Sequence, residues 1–301
     1  MKSGRNNKGS LYVWAAGNGR GVGDNCNNDG WASWRYTITI AGLTMRGFQA
    51  SYSESCAALH VTVPGGGSGP ALTTTDLLGS AGQTSGPCMS GFSGTSAAAP
   101  VGAGIVALII DANNALGWRD VQDVLIRSAK YLDSGNKDWQ TNGAGLKYSH
   151  SHGFGIADAT SAVILAKARN TMWPEATVTN SSAINVNKDV KGGDKVEVSF
   201  PAPEVLADHE VEHVEINVNI LHPARGDLDI TLISPSGTRS YLAVSHSDNR
   251  ANIPAGWRYT SNANWGEVPT GQWTLKVENK KGAKKGHVGY VSFTIFSHKK
   301  Q

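Results

Sequence analysis

Ser96 lies in Ser93-Gly-Thr-Ser-Ala-Ala-Ala-Pro100, at the head of an apolar stretch that runs to Ile110. A serine at the start of a buried helix is surrounded by free N–H groups and positive dipole character, which favour a developing oxyanion. The small residues beside it let a substrate carbonyl approach. The same octapeptide also describes a plain N-cap serine ahead of an Ala-rich helix. A second segment, Ala16-Gly-Asn-Gly19, directly follows an apolar run. An Asn at the C-terminal end of a strand can aim its amide into a site. A side-chain amide and the backbone N–H of a nucleophilic serine together form an oxyanion hole. The plain alternative for Asn18 is a turn beside glycine.

The elements that would carry these residues read as an α/β unit. Leu11-Tyr-Val-Trp-Ala-Ala16 and Tyr36-Thr-Ile-Thr-Ile-Ala41 are unbroken apolar runs, as expected of parallel strands covered on both faces. Residues 95–113 read as a long buried helix, with further helices over about 118–130 and 156–168. Beyond Asn170 the pattern becomes alternating, as in Val196-Glu-Val-Ser-Phe200 and Leu228-Asp-Ile-Thr-Leu-Ile233, with turn signals such as Pro235-Ser-Gly237 between the runs. That predicts an antiparallel β-sandwich or jelly roll. The expected division is residues 1–172 for the α/β unit and 173–301 for the sandwich.

Together, Gly94-Thr-Ser-Ala-Ala-Ala-Pro100 and Ala16-Gly-Asn-Gly19 resemble the subtilisin superfamily of serine proteases. Asp24-Asn-Cys-Asn-Asn-Asp-Gly30, Tyr52-Ser-Glu-Ser-Cys56, Leu116-Gly-Trp-Arg-Asp-Val-Gln122 and Tyr148-Ser-His-Ser-His-Gly-Phe-Gly155 are similar to its kexin/furin branch. Arg225-Gly-Asp-Leu228 and Pro269-Thr-Gly-Gln-Trp-Thr-Leu275 resemble the P domain that follows the catalytic domain in that branch. The resemblance covers nearly the whole chain. It implies a serine endopeptidase acting on a polypeptide substrate, with Ser96 as nucleophile and Asn18 as oxyanion donor. Asp29 matches a position that lines the S1 pocket with negative charge and favours Lys or Arg there.

A serine hydroxyl is a weak nucleophile without a base, and in this superfamily the order along the chain is Asp, His, Ser. The only His before Ser96 is His60, within the apolar Ala58-Leu-His-Val-Thr-Val63, where a core or edge role is expected. Asp133-Ser-Gly135 imitates a family motif but follows Ser96, so a loop is expected there. His150 and His152 match a non-catalytic family segment. The chain therefore reads as the C-terminal half of a catalytic domain plus a P domain, with the Asp and His in an N-terminal part upstream of Met1. Residues 11–16 would then be a central strand short of one neighbour. The alternative is a catalytically inert binding or scaffold module built on the sandwich.

Three cysteines leave at least one without an internal partner. An acid stands two residues before Cys26 and before Cys56. A Cys26–Cys56 bridge would draw Asp24 and Glu54 together, and two such hard oxygen donors suit Ca²⁺. Otherwise they are two solvated acids beside two reduced thiols. The resemblance implies the bridge and a calcium next to S1, with a further Asp ligand upstream and an upstream partner for Cys88.

Charged residues at 17% and glycines at 36 of 301 exclude a disordered chain and a helical bundle. The longest apolar run stops at Asp111, short of a membrane span. A net charge of +3 gives no case for nucleic acid. Cysteine usage points to a secreted or extracytoplasmic setting, although the polar N-terminus carries no signal peptide, which would belong to the upstream part. The segregated charges of the second half, including Glu210, Glu212 and Glu215, read as solvated faces. Arg225-Gly-Asp227 reads as a structural turn.

Overall fold

The computed structural model describes residues 3–171, 176–281 and 284–300; the expected boundary at 172/173 lies outside the described residues. The first unit is built on a parallel sheet of order β1-β2-β3, with β1 Tyr12–Ala15, β2 Thr37–Leu43 and β3 Val61–Pro64. A hairpin, β4 Leu72–Thr75 and β5 Cys88–Phe92, leads into helix α1, Thr95–Ala112. Helices α2, Trp118–Ser128, and α3, Ala159–Ala168, complete the layer.

Helix α1 packs on all three strands and on both other helices. Its Val106 and Ile109 meet Ile38, Ile40, Val61 and Val63 of the sheet and Val121, Val124 and Leu125 of α2 in one core. Each such fully buried aliphatic side chain contributes about 1.5–3 kcal/mol. By length and apolar composition α1 is also long enough to cross a membrane. Here it is the helix that covers the sheet. Helix α3 begins three residues later than expected. Asp158 caps it by accepting from Ser161 N at 2.6 Å. Ile156 is instead drawn into backbone bridges with Lys130 and Thr62.

The two expected strands differ in how far they are covered. β2 is buried along its whole length, but β1 is only partly covered: Tyr12 and Trp14 are each 41% exposed. β1 pairs only with β2, so its other edge has no partner strand among the described residues.

The second unit is the expected antiparallel sandwich. Its strands are β6 Thr177–Asn180, β7 Ile184–Val190, β8 Lys195–Ala202, β9 His209–Leu221, β10 Leu228–Ile233, β11 Arg239–Ala243, β12 Ile253–Ser261, β13 Gly271–Asn279 and β14 Gly286–Lys299. One sheet has the order β8-β13-β10-β11. The other runs β12-β9-β14-β6, with β7 also on β14. Their facing residues, among them Val198, Ile216, Ile230, Leu275 and Phe293, form a single core. β8 alternates exposed and buried without a break, the pattern that made the sandwich legible.

β9 corrects the reading of the charged residues. Both of its faces are buried from Val211 to Ile216, because its outer face lies against the α/β unit. Glu212 is fully buried, bonded by Arg119 Nε at 2.8 Å and by His298 Nδ1 at 2.9 Å. His213 Nδ1 meets Asn262 Oδ1 at 2.7 Å and its Nε2 meets Gln122 Oε1 at 3.1 Å, both amide oxygens being acceptors. Asn262 in turn donates to Ala58 O and to Ala57 O, the latter through its backbone. A charge written into a strand thus became an interface between the two units.

Candidate active site

Ser96 is the second residue of α1 and is exposed. The helix is capped by Gly94, which has no side chain to occupy the first N–H groups. Thr95 N instead donates to Asn18 Oδ1 at 2.9 Å, and Ser96 N has no acceptor among the described residues. β1 ends at Ala15 and the chain turns through Gly17, which delivers Asn18 to the head of the helix.

The buried Thr95 fixes which way the Asn18 amide faces. Thr95 Oγ1 accepts from Gly17 N at 3.2 Å and donates to Asn18 Oδ1 at 2.8 Å. With its oxygen taken twice by Thr95, the amide leaves its Nδ2 beside Gly94. A Cβ built on Gly94 would lie 3.4 Å from Asn18 Nδ2 and 3.8 Å from Ser96 N. Both donors therefore border one small space, and Gly94, at φ +119°, keeps it open. Beneath it, Tyr52 Oη donates to the carbonyls of Gly65 and Gly66 at 2.7 and 2.8 Å, tying the end of β3 to the same corner. Two N–H donors at one point are what an oxyanion requires. Neither Thr95 nor Tyr52 was singled out by sequence. Thr95 acts on a residue 77 positions away, and only the docking of α1 on the sheet brings it there.

Among the described residues, the three histidines weighed in the sequence are engaged away from Ser96. His60 is fully buried between the units: its Nδ1 accepts from Thr39 N at 3.2 Å, and burial holds its pKa well below the ordinary value. His150 Nδ1 meets Asp138 Oδ1 at 3.0 Å while its Nε2 accepts from Tyr241 N at 2.9 Å, so both nitrogens are occupied. His152 stacks on Trp139 and lies 3.6 Å from Asp133, whose segment is a loop as expected.

Cys26 and Cys56 form a disulfide, with Cα atoms 5.3 Å apart, and Cys88 is a free exposed thiol on β5. The bridge places Asn25 beside Ser55 in parallel pairing, and so brings the two acids together. A Cβ on Gly19 would meet Glu54 Oε1 at 2.9 Å and Asp24 Oδ2 at 3.3 Å. Glu54, only 7% exposed, accepts from Gly19 N at 2.8 Å. Burial foremost, then the charges of Asp24 and Asp29, push its carboxyl up to about 7 against that hydrogen bond. Asp29 Oδ1 caps its own turn by accepting from Trp31 N and Ala32 N, at 2.7 and 3.1 Å. Its carboxylate also lines a cavity of about 280 Å³ with Asp24, Glu54, Arg225 and Arg250. Crowded carboxylates with hard oxygen donors suit a calcium ion. Among the described residues, no group of three or more His, Cys, Asp or Glu encloses a metal position, so Asp24 and Glu54 would make a partial ligand set.

Residues 1–155 match the model of the subtilase family, and residues 211–295 match that of the proprotein convertase P-domain. The chain is 37% identical over 297 residues to proprotein convertase subtilisin/kexin type 6 of Rattus norvegicus, covering 93% of this chain and 30% of that protein. It is 36% identical over 286 residues to furin of Bos taurus, covering 93% and 35%, and 38% identical over 286 residues to Protease KEX1 of Kluyveromyces lactis, covering 93% and 37%. It thus spans about a third of the length of these relatives. In fold it superposes on the serine protease of Aeromonas sobria with a TM-score of 0.80 at 23% identity, covering 97% of this chain and 65% of that one.

Proposed function

This chain belongs to the kexin/furin-like branch of the subtilase family, and on that premise we propose that it is part of a serine endopeptidase with Ser96 as its nucleophile. The carrying observation is the common focus of Asn18 Nδ2 and Ser96 N beside Gly94. In this reading Ser96 Oγ bonds to the scissile carbonyl carbon. Its proton passes to a histidine, and the carbonyl oxygen takes the negative charge between Asn18 Nδ2 and Ser96 N. The same proton then goes to the leaving amine as the C–N bond breaks.

The histidine and its Asp belong to an N-terminal catalytic part outside these residues. Two features favour this. The chain's own candidates, His60, His150 and His152, are engaged elsewhere. The open edge of β1 and the exposed Val101 and Leu108 of α1 also offer a surface for further strands. The same features imply that the chain alone is inert.

Asp29 and its acidic neighbours favour substrates cleaved after Lys or Arg. Asp24 and Glu54 hold a Ca²⁺ that neutralises this corner, with the remaining ligand from the upstream part. The Cys26–Cys56 bridge suits a secreted or extracytoplasmic protein. The test is Ser96→Ala in the complete protein: hydrolysis of an Arg-containing peptide is expected to vanish, and retained hydrolysis would overturn the assignment.

A further inference from the structure

Two arginines of the sandwich, Arg225 and Arg250, line the cavity formed by Asp24, Asp29 and Glu54 of the α/β unit. Two sandwich loops bring them there, and those loops are stitched together. Arg225 N donates to Arg250 O at 2.9 Å, Gly226 N to Asp248 O at 3.0 Å and His246 N to Gly226 O at 2.8 Å. A Cβ on Gly226 would come within 2.5 Å of Asp248 O, so only glycine permits this approach. The Asp248 carboxylate then fixes both guanidinium groups. It accepts from Arg225 Nε at 2.8 Å and from Arg250 Nε and Nη2 at 3.0 Å each. The acidic loop abuts the same structure: a Cβ on Gly23 would meet His246 Cβ at 2.8 Å. Asp248 and, across the cavity, Asp24 both favour the charged form of Arg250.

We propose that Arg250 is a charge carried by the sandwich that sets the calcium affinity of the acidic cavity. This rests on the calcium reading given above. The guanidinium lines the same cavity as Asp24, Asp29 and Glu54, so a divalent cation held by Asp24 and Glu54 meets a like charge held in place by Asp248. The sandwich is then more than a buttress, because its docking tunes the cation site beside the substrate pocket. The Arg225 side chain is packed into the turn, only 25% exposed. The Arg250 side chain, 76% exposed, is the one that can be changed without unpicking the loops.

Calcium binding to the intact protein, read by isothermal titration and by calcium-dependent thermal shift, tests this. Arg250→Ala is expected to bind calcium roughly two- to fivefold more tightly at low salt, a gain that shrinks at high salt. Arg250→Lys, which keeps the charge, is expected to match wild type, and Asp24→Asn to bind more weakly. Should Arg250→Ala lose its thermal transition, Arg250→Gln carries the same comparison. Unchanged or weaker binding in the neutral variants, with wild-type binding intact, overturns the proposal while leaving the calcium reading standing. Arg250→Lys behaving like Arg250→Ala overturns it as well. Absence of calcium binding in wild type overturns both.

Discussion

Asn18 is oriented by Thr95, and in the proposed function this divides the labour at the oxyanion position between a donor and the residue that aims it. Replacing Asn18 with Ala in the complete protein removes one donor and is expected to lower kcat by about 10²–10³ with little change in KM. Thr95→Val removes the hydroxyl that holds the amide and is expected to cost roughly tenfold. The double variant should be no slower than Asn18→Ala alone, since Thr95 acts through Asn18. Steady-state kinetics on an Arg-containing peptide check all three; additive losses would contradict the division. Ser96 and Asn18 stand out as candidates in the sequence because each sits in a short motif whose small residues have a chemical reason. Thr95 was not: its partner is 77 residues away, and nothing local distinguishes its hydroxyl from any other near a helix start.

At the scale of elements, β9 is the instructive case. Its residues alternate as in the other strands of the sandwich, and Val214, Ile216 and Val218 of its inward face lie in the core. Its acids were misread because alternation reports which face meets the sandwich core, not what covers the other face. The buried polar surface has a pH signature. Burial foremost, with the nearby Arg35 and Arg119, holds His213 down at about 4 from an ordinary 6.5, although Glu212 pulls the other way. A histidine with a depressed folded pKa contributes stability that is complete above its unfolded pKa. That stability is lost as pH falls from about 6.5 towards 4. The contribution is about 3 kcal/mol at most. Glu212, held down at about 2 from 4.5, adds a loss in the same direction at lower pH. Thermal melting is therefore expected to fall steeply between pH 6.5 and 4, and less steeply in His213→Gln. Parallel profiles for the two proteins would show that His213 does not couple the interface to acid.

Across the whole molecule, the two units differ in how they cover their sheets among the described residues. The sandwich closes its core between two sheets, whereas β1 leaves an open edge and α1 leaves apolar residues exposed. Residues 1–170 expressed alone are expected to aggregate or misfold, because they lose the cover of β9 as well. A monomeric product with a cooperative thermal transition would contradict this. The two-unit plan was legible from the change in periodicity near residue 170. The docking was not, because it depends on side chains such as Asn262 and His213 that look ordinary in a β sequence. The most direct test of the central claim is reaction of the native protein, isolated from its source, with a fluorophosphonate, followed by mass mapping of the peptide that contains residues 93–100. The account predicts one adduct, on Ser96, in a species heavier than 301 residues account for. A folded native protein left unmodified at Ser96 would contradict it.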